Sequence, residues 1–330
     1  MQAPPLWLWC LYIVICLLGN HLALSYARWR QIVDLPGGRR NHAVPTPRGG
    51  GAGIAVSVLL GMTALPFYWP HTTNVIGWLG GALVLVAGVG WWDDHRPLPS
   101  LLRLAVHLVA ALCVAAGLAA YGYPPAWCLL SLVVVPMGIN LWNFMDGING
   151  LVTSQVALYA GFLAWFCAPS FVQGAALLVV LSAAAFLPLN FPRARIFLGD
   201  VGSGALGLMV AVLWLFAAGT GPATARLAVM LPLFPLLIDS VFTLLWRIWK
   251  RQPLLQPHTE HLYQRAVRHG RPHWKVTLAY AAVTSALVLS AMVVSRLPLS
   301  MAVITTTLLA LGCVIAWMIV RSRLSGGTGR

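Results

Sequence analysis

Seven acidic side chains are all that this chain of 330 residues carries. Six of them fall in five short segments rich in glycine, asparagine, histidine and arginine. In the first, Asp34-Leu-Pro-Gly-Gly-Arg39-Arg40-Asn41-His42 runs on to Pro45-Thr46-Pro47-Arg48-Gly49-Gly50-Gly51. Proline and glycine make a tight loop there, and the glycines let backbone amides approach an anion at a helix start. No Gly-Lys-Ser/Thr follows, so it is not a Walker A loop. The second, Trp91-Trp92-Asp93-Asp94-His95-Arg96, pairs two carboxylates. They suit cation binding, an acid and base with separated pKa values, or a solvated helix end. In the third, Asn140, Asn143 and Asp146 recur at three-residue steps before Gly147-Ile-Asn149-Gly150. On a helix they share a face, and their oxygens suit Mg²⁺ as well as plain turn chemistry. The fourth, Phe197-Leu-Gly199-Asp200-Val-Gly-Ser203-Gly, sets one acid among glycines, as a ligand or as a helix N-cap. The fifth, His258-Thr-Glu260-His261-Leu-Tyr263-Gln264-Arg265-Ala-Val-Arg268, puts His261, Arg265 and Arg268 on one helical side. That is a cationic row for phosphates, or surplus membrane-edge charge; the zinc pattern His-Glu-x-x-His is absent.

The elements that must hold these segments are membrane helices. The chain is 59% hydrophobic and 8% charged, with a mean hydropathy of +0.81, where a soluble domain carries about a quarter charged residues. Eleven apolar runs, roughly 6–24, 51–69, 75–92, 101–120, 126–142, 151–168, 172–190, 202–218, 226–246, 275–295 and 299–320, are long enough to span a bilayer. Backbone groups in lipid must be satisfied within each run, which predicts an all-α, polytopic integral membrane protein of about eleven transmembrane helices. It forms a single membrane domain over 1–330, with functional loops at about 25–50, 91–103, 140–150, 190–203 and 247–275.

Charge orients that domain. With eleven spans, alternate connections hold 19 of the 21 Lys and Arg residues, and only Arg226 and Arg296 fall on the other side. The positive-inside rule makes the rich side cytoplasmic, with the N-terminus outside and the C-terminus inside. The formal net charge of +14 is therefore mainly a topology signal, and no nucleic-acid partner is expected. Every acid maps to this same side. Asp239 lies within a span, about two turns before Arg247, as a functional group or an ion-pair partner of that arginine. The six cysteines all lie in apolar runs and read as packing residues.

Together, and in this order, Asp34-x-Pro-x-x-Arg39-x-x-His42-x-x-Pro45-Thr-Pro-Arg48-Gly-Gly-Gly, Asp93-Asp94, Asn140-x-x-Asn143-x-x-Asp146-Gly, Phe197-Leu-Gly-Asp200-x-Gly-Ser203 and His258-x-x-His261-x-Tyr-Gln-Arg265 resemble the polyprenyl-phosphate N-acetylhexosamine-1-phosphate transferases. The similarity covers about residues 30–270. The loop at 258–265 is most similar to the bacterial branch that starts O-antigen and related surface polysaccharides; the triple histidine of the peptidoglycan branch is absent.

The resemblance implies ten or eleven helices, often dimeric, in the bacterial inner membrane, with a cytoplasmic active site using Mg²⁺ or Mn²⁺. The reaction it implies carries a sugar-1-phosphate from a UDP-N-acetylhexosamine to undecaprenyl phosphate and releases UMP. By the same resemblance, Asn143 and Asp200 hold the metal, Asp93 and Asp94 position or deprotonate the lipid phosphate, and Asp146 lies near metal and sugar. His258, His261 and Arg265 grip the diphosphate, and Arg48 serves the uridine side or the loop. Arg39, His42, Asn140 and Asn149 complete the substrate-binding set, His261 is counted with the catalytic groups, and Arg103 is the approximate cation downstream of the acid pair.

One departure stands out. Many bacterial members carry Asp-Gly-x-Asp-Gly where this chain has Asp146-Gly-Ile-Asn149-Gly, so Asn149→Asp is expected to be tolerated. The rival class is a secondary transporter of an anionic solute, which calls for midplane charge and inverted repeats. Only Asp239 approaches that description, and no repeat is visible. A non-catalytic scaffold leaves the clustered acids unexplained.

Overall fold

The computed structural model describes residues 4–34, 45–253 and 258–324; Arg39 and His42 lie outside them. After α1 (Leu6–Trp29), β1 (Val33–Asp34) pairs antiparallel with β2 (Thr46–Pro47). Then come α2 (Gly51–Met62), α3 (Leu65–Tyr68), α4 (Thr73–His95), α5 (Ser100–Tyr121), α6 (Pro125–Met145) and α7 (Leu151–Phe166). The chain continues through α8 (Phe171–Asn190), α9 (Gly199–Thr220), α10 (Ala223–Met230), α11 (Phe234–Trp249), α12 (Leu262–Arg268), α13 (His273–Val294) and α14 (Leu299–Arg323).

Ten helical segments are long and apolar enough to cross a membrane, counting α2 with α3 and α10 with α11 as continuous spans. The eleventh expected run is α7, whose 16 residues reach about 24 Å at ~1.5 Å per residue, shorter than a ~30 Å hydrocarbon core. It leaves the bundle end at Asn149 and α8 returns to that end at Asn190, so the alternation of sides is kept. The protein is thus an all-helical, multi-pass membrane protein. Proline punctuates it. Pro5, Pro99, Pro124, Pro222, Pro272 and Pro298 stand at the N-caps of α1, α5, α6, α10, α13 and α14. A residue with fixed φ and no N–H stops one segment and costs nothing at the start of the next.

The hub is α9. Buried residues make up 94% of its apolar window, against 6% for α14, and α2, α4 and α6 pack around it. In lipid no hydrophobic force drives helices together, so close approach over small residues must do it. A Cβ on Gly51 would lie 2.0 Å from Gly202 Cα, and one on Gly207 would lie 2.8 Å from the Gly138 carbonyl oxygen. Gly202→Ala is therefore expected to force α2 and α9 apart, at about 1–3 kcal/mol for overpacking, lowering the Tm in detergent. Gly77→Ala, with nothing within 4 Å of its Cβ, should leave Tm unchanged. Equal melting of the two variants would contradict this packing.

Candidate active site

The site begins where α4 ends and α9 starts. Gly199 adopts φ +75°, and a Cβ there would lie 2.5 Å from Asp94 Oδ2. This lets the chain turn into α9 directly against Asp94. The Asp94 carboxylate accepts the backbone N–H groups of Asp200 (3.0 Å) and Val201 (3.2 Å), capping α9 at its positive end. Arg48 does the converse. Its guanidinium donates to the carbonyls of Asp93 (3.0 Å) and Asp94 (3.2 Å) in the last turn of α4, and approaches Asp94 Oδ1 at 3.4 Å. One ion pair thus joins two opposed helix ends. The loop before α2 is laced to the same place, since Gly50 and Gly51 donate to the carbonyls of Phe197 (2.9 Å) and Leu198 (2.8 Å).

Asp93 points elsewhere because adjacent helical residues diverge by about 100°. Its Oδ1 accepts from Leu98 N at 2.6 Å and its Oδ2 from Arg103 Nη1 at 3.1 Å. The same Arg103 nitrogen donates to Asp200 Oδ2 at 2.8 Å. Arg103, in the first turn of α5, is therefore the bridge that fixes Asp200 relative to the acid pair.

These groups open onto a cavity of about 200 Å³. Its wall carries the carboxylates of Asp34, Asp94, Asp146 and Asp200, with Arg48, Asn149, Gln264 and His273 among the other lining residues. Asp146 caps α6 at its C-terminal end. Burial, reinforced by the nearby charges of Asp200 and Asp94, pushes its carboxyl up to about 8. Carboxylates are thus in excess of the cations facing them, which is the donor chemistry a hard divalent ion takes. Among the described residues no three His, Cys, Asp or Glu side chains converge as a closed cage.

The 258–268 segment sits at the rim and is anchored by Asp239. This buried acid does not pair with Arg247. It accepts the N–H groups of Leu262 (2.7 Å) and Tyr263 (3.4 Å) at the start of α12, the Tyr280 hydroxyl (2.7 Å), Trp317 Nε1 (3.2 Å) and the Thr243 hydroxyl (3.3 Å). Arg247 instead pairs with Glu260, and the Tyr263 hydroxyl donates to the Phe144 carbonyl at 2.9 Å, tying α12 to the end of α6.

The structure thus brings Asp94, Asp146, Asp200, Arg48 and Asn149 to one cavity, with Asp93 directly behind it. Asn140 does not reach the wall; its amide donates to the Pro136 carbonyl one turn back, at 2.7 Å. Asn143 stands one turn before Asp146 and is also absent from the lining residues. The cationic row is not formed as the helical spacing suggests. His261 is 2% exposed and stacked between Phe144 and Tyr263, whereas Arg265 is half-buried and Arg268 exposed. Burial lowers the pKa of His261. Burial, then His261 and Arg247, lowers that of His258 to about 4. Burial thus disfavours the cationic form of both rings, and His258 Nδ1 accepts from the Glu260 N–H at 3.4 Å.

Sequence reasoning missed three polar residues. Gln264 and His273 line the cavity, as does Asn190, which holds Gly150 N (2.9 Å) and the Ile196 carbonyl (3.1 Å). The available signal was position: Asn190 ends an apolar run, and His273 follows the Arg271-Pro272 stop before the next one. Asn149 donates its amide to the Pro192 carbonyl at 3.1 Å. A carboxylate there would face a carbonyl oxygen. Contrary to the expectation from sequence, Asn149→Asp should lower activity about five-fold, roughly one lost hydrogen bond. Full activity would contradict that contact.

A family model described as "Glycosyl transferase family 4" matches residues 75–218. The decaprenyl-phosphate N-acetylglucosaminephosphotransferase of Mycolicibacterium smegmatis is 31% identical, over 78% of this chain and 71% of its own length. The probable undecaprenyl-phosphate N-acetylglucosaminyl 1-phosphate transferase of Bacillus subtilis is 27% identical, over 73% and 71%. The undecaprenyl-phosphate alpha-N-acetylglucosaminyl 1-phosphate transferase of Escherichia coli K12 is 24% identical, over 72% and 70%.

Proposed function

This chain belongs to glycosyl transferase family 4, among the polyprenyl-phosphate N-acetylglucosamine-1-phosphate transferases, and we propose that it moves an N-acetylhexosamine-1-phosphate from a UDP-sugar to undecaprenyl phosphate. The observation that carries this reading is the gathering of Asp94, Asp146, Asp200 and Arg48 on one cavity at one end of a bundle of membrane helices. A lipid phosphate is confined to the membrane boundary and a nucleotide sugar is dissolved in the cytoplasm. Their meeting point must be a polar pocket at that boundary.

In the reaction a lipid phosphate oxygen attacks the β-phosphorus of the donor. The new P–O bond forms as the bond to the bridging oxygen breaks, and UMP leaves with that electron pair. The acceptor is a phosphate monoester with a second pKa near ~6, largely dianionic at pH 7, so little deprotonation is required. Positioning and charge neutralisation are the main catalytic contributions. Asp200, fixed by Arg103, and Asp146 would hold Mg²⁺ or Mn²⁺, which supplies the charge that lets two anions approach. Asp94 and Arg48 position both by locking α4 to α9. Asn149, Gln264 and His273 supply hydrogen-bonding groups on the facing wall.

Asp146 gives the metal reading a pH signature. Its pKa is raised in the folded state, so its contribution to stability is complete below the unfolded value of 3.8. That contribution is lost as pH rises through about 8. A bound cation favours the ionised form. Mg²⁺ binding is therefore expected to tighten between pH 6 and 9 and to release more than one proton per ion near pH 7, since burial also raises Asp200 to about 7, measured by calorimetry in buffers of different ionisation heat. Asp146→Asn should cut the release to the part that Asp200 supplies; an unchanged release would contradict the assignment.

The site faces the cytoplasm of a bacterial inner membrane in this reading, supported by the 19 of 21 Lys and Arg residues on its side, and it starts an O-antigen-like glycan. The transporter reading loses its one support, because Asp239 is saturated by five structural hydrogen bonds. Purified protein with undecaprenyl phosphate and a panel of UDP-N-acetylglucosamine, UDP-N-acetylfucosamine and UDP-N-acetylquinovosamine tests the proposal. Metal-dependent UMP release with one of them is expected. Solute uptake by vesicles without turnover would overturn it.

A further inference from the structure

The last helix, α14, is the span least enclosed by the rest of the bundle. Its buried residues are Ala302, Thr306, Trp317 and Arg321, and the last two stand one turn apart on a single face. Trp317 Nε1 donates to Asp239 at 3.2 Å. Arg321 donates from Nη1 to the Glu260 carbonyl at 2.9 Å and from Nη2 to the Glu260 carboxylate at 3.4 Å. Its guanidinium carbon lies 4.9 Å from the centre of the Trp246 ring and 5.0 Å from that of Trp317. The side chain is 3% exposed. A buried arginine on a peripheral, lipid-facing helix needs a strong reason to point inward. Here the reason is Glu260, the one acid of the 258–268 segment, which stands between His258 and His261.

We propose that α14 is a clamp on the substrate-facing loop, with Arg321 and Trp317 as positioning residues that hold the 258–264 segment so that Gln264 lines the cavity. The clamp rests on the reading above, in which this loop meets the donor. Its physical basis is that α12 has 7 residues, far too few to be stable as an isolated helix. Its place is fixed from outside, by Asp239 on its first N–H groups and by Arg247 and Arg321 on Glu260. One of those attachments, Arg321, comes from the last turn of α14, and Trp317 one turn before it bonds the anchoring Asp239 itself. Without Arg321, the Glu260 carbonyl and one carboxylate oxygen lose their partner, and the loop leaves the binding-competent position for part of the time. Donor affinity then falls by that fraction, while a saturated enzyme turns over nearly as before.

The test uses the full chain in lipid nanodiscs, with UDP-N-acetylhexosamine and undecaprenyl phosphate as substrates. Arg321→Met is expected to raise the donor KM about ten-fold, the size of one lost charge-assisted contact, with kcat and the acceptor KM within about two-fold. Arg321→Lys should recover part of the loss, because an ammonium can reach one oxygen but cannot fork or stack. Trp317→Phe should fall between. Leu308→Ala, on the lipid-facing side of α14, should match the wild type. Amide hydrogen exchange gives a second readout, in which Arg321→Met should speed exchange over 258–264 and leave α9 unchanged. Unchanged donor KM and exchange in Arg321→Met, beside a wild type that turns over, would overturn the clamp. So would equal effects on donor and acceptor KM, which mark a general loss of fold. A wild type without turnover would instead overturn the transferase reading, and the exchange experiment would still judge the clamp.

Discussion

Asp200→Asn is expected to lower sugar-phosphate transfer by several hundred-fold, approaching a thousand-fold, with the protein still folded and inserted. Asparagine is nearly isosteric, and its carbonyl can still accept from Arg103, which engages Oδ2 of Asp200 at 2.8 Å. What disappears is a negative charge on the cavity wall. Losing a preorganised charge aimed at the reacting groups costs about 3–4 kcal/mol in favourable cases, which approaches a thousand-fold at about 1.36 kcal/mol per decade. Stability should change little, because the amides that open α9 are held by Asp94. Asp94→Asn makes the complementary case. Its amide would set a donor against the N–H groups of Asp200 and Val201, so activity and Tm should fall together. Activity of Asp200→Asn within ten-fold of wild type would remove it from the reacting centre.

Asp239→Leu carries the second large effect, on folding and activity together. Five donors converge on this carboxylate from α11, α12, α13 and α14. Each buried donor left without a partner costs about 1–3 kcal/mol, and not all can relax to water. A loss of about 3–5 kcal/mol and a fall in Tm on the order of 10 °C follow, with α12 released from the cavity rim. Asp239→Asn should be milder, retaining one acceptor oxygen. A Tm for Asp239→Leu within 2 °C of wild type, measured by tryptophan fluorescence, would contradict the anchor.

The fold was largely legible because apolar runs of spanning length have one physical solution in lipid. The five motifs were legible as a set because a chain so poor in acids places nearly all of them where they act. Their division of labour was not. Asp93 and Asp94 are neighbours in sequence, yet one seats Arg103 and the other caps α9, a split set by the helical turn between them. Asn140 shares a helical face with Asp146 but satisfies itself on its own backbone. His261 reads as a phosphate-binding cation, but burial between Phe144 and Tyr263 lowers its pKa and keeps it off the cavity wall. Asp239 has the signature of a midplane functional acid, and only the tertiary arrangement shows that it staples a loop. Gln264 and His273 were missed because facing a cavity is a property of packing that spacing alone does not encode.

The central claim is that this cavity joins a lipid phosphate to the β-phosphorus of a nucleotide sugar. Donor labelled with ³²P in its β-phosphate, incubated with the purified protein, Mg²⁺ and undecaprenyl phosphate, tests it most directly. The account predicts that the label passes with the sugar into the lipid fraction while unlabelled UMP appears in equal amount, and that chelation of the metal stops both. Label remaining in the aqueous phase as UDP while the sugar reaches the lipid, or no transfer from any UDP-N-acetylhexosamine, would contradict it.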